Sequence, residues 1–359
     1  MVWNSLTRRA FVRRAFVGAA AGSVAGSTVF APSIVRAAQK VTLGVVNTIS
    51  DAPYFIADGR GYFKAEGLDV EIINFPSGAK MISSLSTGDL DVSGGAISAG
   101  LYNANERQIS IKIVADKARN AKGMSFQSLL IRADLLDSGA FKSLADLKGR
   151  KIAIPAIGSC GEQSTLNEAC KLGGVPFESV ERVWLATADQ LAALSNKAID
   201  GTLVAEPFLT LAERRGVARR FMALGDIYPD QQAAATTYGA EFVKKREAAV
   251  GFMKAFLRGA RDYNDAIKDA RFGGPKADEV LGLIAKYSNV KDVELLRTVV
   301  PSACNPDGMP NREGLERDLK FAQSLGLVQP QVKIEQVLDL SYLEAALAAL
   351  GPYAGRNRR

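Results

Sequence analysis

The chain has 359 residues, with 45 Lys and Arg against 38 Asp and Glu, three cysteines and no histidine. The missing histidine excludes a Ser-His-Asp triad, a Cys-His pair and most zinc sites. The formal charge of +7 misleads: Arg8, Arg9, Arg13, Arg14 and Arg36 all fall in the first 38 residues, which hold no acid, and the remaining 40 basic and 38 acidic residues leave +2, which argues against a nucleic-acid binder.

Those first residues read as an export signal. Thr7-Arg8-Arg9-Ala10-Phe11 is a twin-arginine pair, residues 15–34 are apolar and small, and Arg36-Ala37-Ala38 offers the small residues a signal peptidase needs. Gly and Ser interrupt the apolar run, and Pro32 and Arg36 close it, which argues against a membrane anchor. The expectation is a twin-arginine signal over 1–38, cleaved on export, and a protein that works in the periplasm. About 320 residues then remain, enough for two domains.

Next, Val41–Val46 is an apolar, β-branched run that predicts a buried strand. A helix is expected from Pro53 to Ala65, with Pro53 in its first turn. Leu68–Phe75 reads as a strand, Lys80–Thr87 as a short helix, and Val92–Gly95 as the end of a third strand. This strand-helix-strand rhythm is the α/β pattern of a mainly parallel sheet. Ligand crevices in such sheets lie beyond the carboxyl ends of the strands, which singles out the loops Ser50–Pro53, Ser77–Ala79 and Gly94–Ser98.

The rhythm then recurs. Lys151–Pro155 is a strand, Gly158-Ser159-Cys160-Gly161 a turn, and a helix runs from there to Leu172, ended by Gly173-Gly174. Val180–Leu185, Asp189–Asn196 and Ile199–Ala205 continue as strand, helix and strand, up to Glu206-Pro207. Leu85–Asp91 and Leu194–Asp200 sit at the same step of each half. Ser128–Arg132 is placed as a crossover strand, and Thr236-Thr237-Tyr238 as the returning one. From Glu241 the chain turns helical: Lys244-Lys245-Arg246 is a solvated helix start, and Phe252, Phe256, Tyr263 and Ile267 share one face. Asn311 can cap a helix closed by Gly326. This helical region is expected to pack on the first lobe, and Arg356–Arg359 to fray. Cys160 and Cys170 share a helix about 15 Å apart, too far for a bridge, and with Cys304 they are expected to be mostly free, buried thiols.

The segment from Pro53 to Glu71, beginning Pro53-Tyr54-Phe55-Ile56-Ala57-Asp58-Gly59-Arg60-Gly61-Tyr62-Phe63, resembles the substrate-binding proteins of nitrate/sulfonate/taurine-type ABC importers, which share this domain with thiamine-precursor binders. Ser84–Val92, Leu144–Ala153 and Glu206-Pro207 fit the same pattern. The resemblance implies a type II periplasmic binding fold, two α/β lobes joined by two crossing strands. Lobe 1 would take 39–128 with 236–345, lobe 2 would take 129–235, and 346–359 would be a flexible tail. It further implies a monomer with no catalytic residue, cofactor or metal, which closes on a small-molecule solute and presents it to an ABC permease in the inner membrane.

A closing cleft needs contacts from both lobes. Ser77-Gly78 and Gly158-Ser159 stand at helix starts, where free amides and the helix dipole favour an anion; alternatively they only form turns and caps. Gly95, Ala96 and Ser98 belong to the third loop. Glu206, at a strand end, could pair with a cationic group of a zwitterion such as taurine or with an aminopyrimidine, or could simply bond neighbouring backbone or an arginine. Asp51 is a second acid candidate. Pro53, Tyr54, Phe126 and Tyr238 are candidate cleft walls, or core. Cys160 at a helix start would have a lowered thiol pKa, which keeps a desulfinase-like carbon-sulfur hydrolase as the alternative. No histidine is present to activate it. A sensory subunit is a third reading.

Overall fold

The computed structural model describes residues 37–355. The twin-arginine motif and Arg356–Arg359 lie outside the described residues. Among the described residues, ten strands form two five-stranded sheets. The first contains β1 (Gln39–Val45), β2 (Leu68–Asn74), β3 (Val92–Gly95), β4 (Lys112–Asn120) and β10 (Gln231–Tyr238) in the order β2-β1-β3-β10-β4. The second contains β5 (Gln127–Arg132), β6 (Lys151–Ile154), β7 (Glu181–Trp184), β8 (Gly201–Ala205) and β9 (Ala218–Ala223) in the order β7-β6-β8-β5-β9.

The two sheets repeat one plan. In each, three parallel strands carry the βαβ rhythm read from the sequence, and the fourth position is an antiparallel strand. That strand is in each case the first one formed after the chain crosses from the other sheet: β5 follows β4, and β10 follows β9. Ser128–Arg132 is therefore a full member of the second sheet, and the crossings run through residues 121–126 and 224–230. The Leu85–Asp91 and Leu194–Asp200 segments lead into β3 and β8, which hold equivalent places.

Local chemistry explains the departures from expectation. The helix expected over Pro53–Ala65 is two pieces, Ala52–Gly59 and Tyr62–Ala65, because Gly61 takes a left-handed conformation (φ 72°) between them. The Cys160–Gly173 helix ends at left-handed Gly174, as a glycine end-cap allows. The Arg246–Asp265 helix buries Phe252, Phe256 and Tyr263, while Ile267 lies beyond its end. It covers the first sheet, where Tyr54, Phe63 and Tyr238 meet its aromatic face.

The Arg312–Ser324 helix does not stay on the first lobe. Its Leu315, Leu319 and Ala322 join the core around Ile97 and Tyr102. Its Phe321 packs edge-on against Phe177 of the second lobe, with ring centres 5.2 Å apart. The tail expected from residue 346 begins inside a helix, Ser341–Leu350, whose Ala346 is buried, and the Tyr353 amide donates to Asp307. The Asn311 side chain accepts from Gly314 N–H, the cap read from the sequence. Asn311→Ala is expected to lower stability by about 1 kcal/mol, measured as a shift of the denaturant midpoint at unchanged slope.

Candidate functional site

Two helices begin where strands of opposite lobes end. Ser77 precedes the Gly78–Thr87 helix after β2, and Ser159 precedes the Cys160–Gly173 helix after β6. Serine at such a position normally accepts a hydrogen bond from its own helix. Neither side chain does so here. Both residues instead line one cleft of about 550 Å³, counted to its mouth, together with Thr48, Ser50, Ala96 and Phe126. One wall requires glycine. A Cβ on Gly78 would overlap the Ala96 carbonyl oxygen, and one on Gly95 would stand 2.9 Å from the Gly78 Cα. The lobes also touch directly at the rim: Ala99 N–H donates to Gly158 O (2.9 Å), Cys160 N–H to Ile97 O (3.1 Å) and Ile49 N–H to Glu206 O (3.0 Å).

Behind the cleft sits a charge pair. Lys117 of β4 lines the site, and both it and Asp51 are fully buried, with Nζ 2.6 Å from the carboxylate. The ammonium also donates to Ser50 Oγ (2.9 Å) and Gly94 O (3.0 Å), so its close polar neighbours all belong to the protein wall. The Thr48 N–H donates to the other oxygen of Asp51. Asp51 thus neutralises Lys117 and does not itself line the cleft.

Of the residues expected at the site, Ser77, Gly78, Ala96, Phe126 and Ser159 line the cleft, and Gly95, Ser98 and Gly158 build its wall and rim. The others do not line it. Pro53 and Tyr54 lie in the buried helix Ala52–Gly59; the Tyr54 hydroxyl shares a hydrogen bond with Thr236 (2.8 Å) and its ring packs on Phe256. Tyr238 is core, its hydroxyl donating to Ala249 O. Glu206 is buried away from the cleft, accepting from Thr210 N–H, Thr210 Oγ1, Val300 N–H and Arg220. Its carboxylate has the partners that the plainer reading of the sequence foresaw, backbone and an arginine. Cys160 is buried, and desolvation, with the nearby charges of Asp318 and Glu162, pushes its thiol well up. That outweighs the helix-start effect and leaves the hydrolase alternative without an exposed thiolate. Cys160, Cys170 and Cys304 are all free and buried.

Sequence reasoning missed Lys117, Gln127, Thr187 and Glu162, all of which line the cleft. Lys117 had a signal, an Asp-Lys pair inside the apolar run Ile113–Ala118, since buried charges occur paired. Glu162 had a misleading one: Ser159-Cys160-Gly161-Glu162 has the spacing of a helix capping box.

Lys117→Met strands a buried carboxylate at Asp51 and is expected to destabilise the fold by about 3–5 kcal/mol; adding Asp51→Asn should recover part of the loss in urea unfolding. Burial also lifts Asp116 and Asp318 to about 6 and Glu162 to about 7. A carboxyl raised in the folded state contributes stability that is full below its unfolded value and is lost as the pH rises through the folded one. The urea midpoint should therefore fall from about pH 4.5 to about pH 8. Glu162→Gln should flatten the upper part of that fall. Asp134, held at about 2 by Arg132, acts below this window.

Residues 49–268 match the family model described as NMT1/THI5 like. Binding proteins of Brucella abortus are 26% identical over 213 residues, 59% of this chain, and the chain spans 62% of their length. The taurine-binding periplasmic protein of Escherichia coli K12 is 28% identical over 230 residues, 63% of this chain and 66% of that protein. The solved periplasmic nitrate-binding protein NrtA of Synechocystis PCC 6803 superposes with a TM-score of 0.69 at 16% identity, covering 87% of this chain and 89% of that one. That last likeness carries the fold, the type II periplasmic binding architecture of two α/β lobes. The family match spans well over half of the chain and includes the Asp51–Lys117 pair and both serine-led helix starts: the chain belongs to the NMT1/THI5 like family.

Proposed function

We propose that this chain is the solute-binding component of an ABC importer, working in the periplasm and capturing a small organic anion or zwitterion, with taurine-like sulfonates foremost, between its lobes. The observation that carries the reading is the convergence of two helix starts, one from each lobe, on one cleft, with the Ser77 and Ser159 hydroxyls left unspent on their own helices. Each helix end favours an anion by about 0.3–2 kcal/mol, and each hydroxyl can donate to an anionic oxygen. Because one end belongs to each lobe, an anion held by both stabilises the closed arrangement over a parted one. The rim bonds 97–99 to 158–160 join the two lobes in this arrangement. The ligands named for the E. coli and Synechocystis relatives, taurine and nitrate, support an anionic solute. The closed form would then be the one presented to a membrane permease.

Thermal melting with taurine, ethanesulfonate, nitrate, an aminopyrimidine and an aromatic carboxylate tests this. A true ligand at a hundredfold its Kd stabilises the fold by about 2.7 kcal/mol, and the sulfonates are expected to raise Tm most. Ser159→Ala should weaken sulfonate binding by roughly tenfold while leaving the ligand-free Tm little changed. If none of the anions shifts Tm, the reading is wrong.

A further inference from the structure

We propose that Glu162 reads a cationic group on the bound anion, so that the cleft selects amino-substituted anions over plain ones. This rests on the anion reading above and adds the ligand's second charge.

Glu162 is the third residue of the Cys160–Gly173 helix. In a capping box its carboxylate would turn back to the Ser159 N–H. That amide is already taken, donating to Ala156 O (3.1 Å), and the Ser159 hydroxyl makes no bond to the helix. The side chain is therefore released from the capping duty that its spacing suggests. It lines the cleft, is only 6% exposed, and its Oε2 has no hydrogen-bond partner. A buried carboxylate oxygen without a donor is costly, and a ligand donor is the group that would supply one.

The charges around it leave this gap open. Among the described residues that line the cleft, Glu162 is the one acid and Lys117 the one cation. Lys117 is paired with Asp51 and donates to Ser50 and Gly94. From the Arg312–Ser324 helix Asp318 bears on Glu162 with a like charge, and Cys160, on the helix of Glu162 itself, feels both acids. Tyr228 stands behind Asp318. None of these compensates an ionised Glu162. A plain anion drawn to the helix starts must therefore share the cleft with a carboxylate that repels it or must wait for that carboxylate to take up a proton. An anion carrying an ammonium turns the same carboxylate into an attraction. Discrimination then works partly by penalising the wrong ligand.

Burial and Asp318 lift Glu162 to about 7, against the pull of its own backbone N–H, which gives the two ligand classes opposite pH behaviour. An ammonium favours the ionised form, so affinity for an amino-sulfonate rises with pH. A plain sulfonate favours the protonated form, so its affinity falls as pH rises.

The test is calorimetric titration of taurine and ethanesulfonate at about pH 6 and about pH 8, for the unaltered chain and for Glu162→Gln. Taurine should bind roughly tenfold tighter than ethanesulfonate at the higher pH, with opposite pH slopes for the two. Glu162→Gln should weaken taurine by tenfold or more, leave ethanesulfonate equal or tighter, and flatten both slopes. Retained ethanesulfonate binding by the variant shows that its cleft is folded. If both ligands bind but the variant weakens them equally, or leaves taurine untouched, Glu162 has no such role while the anion reading stands. If neither ligand binds the unaltered chain, the sulfonate reading itself fails and this proposal falls with it.

Discussion

The helix starts at Ser77 and Ser159 can share a cleft only because the chain crosses twice between its sheets. Each crossing delivers an antiparallel strand, β5 or β10, into the sheet it enters, so each lobe is completed by chain that arrives from the other side. The two sheets thus repeat one strand order, and the helices of the cleft follow non-equivalent strands of it, the edge strand β2 of the first sheet and the inner strand β6 of the second. A helix dipole is felt only within its first turn. The cleft chemistry therefore depends on this topology holding two first turns around one space, and on Gly78 and Gly95 letting the surrounding loops approach backbone to backbone.

Charge is managed differently on the two sides of that space. The Lys117–Asp51 pair is fully buried and balances its own charge, with Ser50 and Gly94 accepting from the ammonium and Thr48 N–H donating to the carboxylate. Such a pair is a poor source of net stability, but it adds no net charge to the cleft wall while fixing Ser50 and the β3 end in place. Glu162 has no such compensation. The cleft thus joins two helix starts with one acid whose Oε2 has no hydrogen-bond partner, and the proposed choice among anions rests on that asymmetry.

The Arg312–Ser324 helix has a part in this that its place in the chain does not suggest. It packs on both lobes, and it brings Asp318 to Gln231 of β10 and to the start of the Cys160–Gly173 helix. The start of the Cys160–Gly173 helix is therefore bordered by a first-lobe strand and by a helix shared between lobes.

The residues alone determined a good deal. Alternating apolar runs with short glycine-rich breaks predict two βαβ halves, because period and punctuation are local properties of the chain. Gly174 and Asn311 were legible as helix ends for the same reason, since caps are satisfied within a few residues. The loop at Ser77-Gly78 followed from the rule that crevices lie at strand carboxyl ends, and Gly158-Ser159 from its place at a helix start. What local pattern could not decide was direction and partnership. Tyr54 faces the core and not the cleft because the distant Arg246–Asp265 helix supplies Phe256 and β10 supplies Thr236. Asp51 and Glu206 are taken by Lys117, Thr210 and Arg220; a carboxylate's partner is set by what the fold brings within 3 Å, and sequence separation carries no record of that. Glu162 inverts its local signal outright. The Ser-x-x-Glu spacing says cap, yet Ala156 already holds the amide, and tertiary packing turns the acid into the cleft.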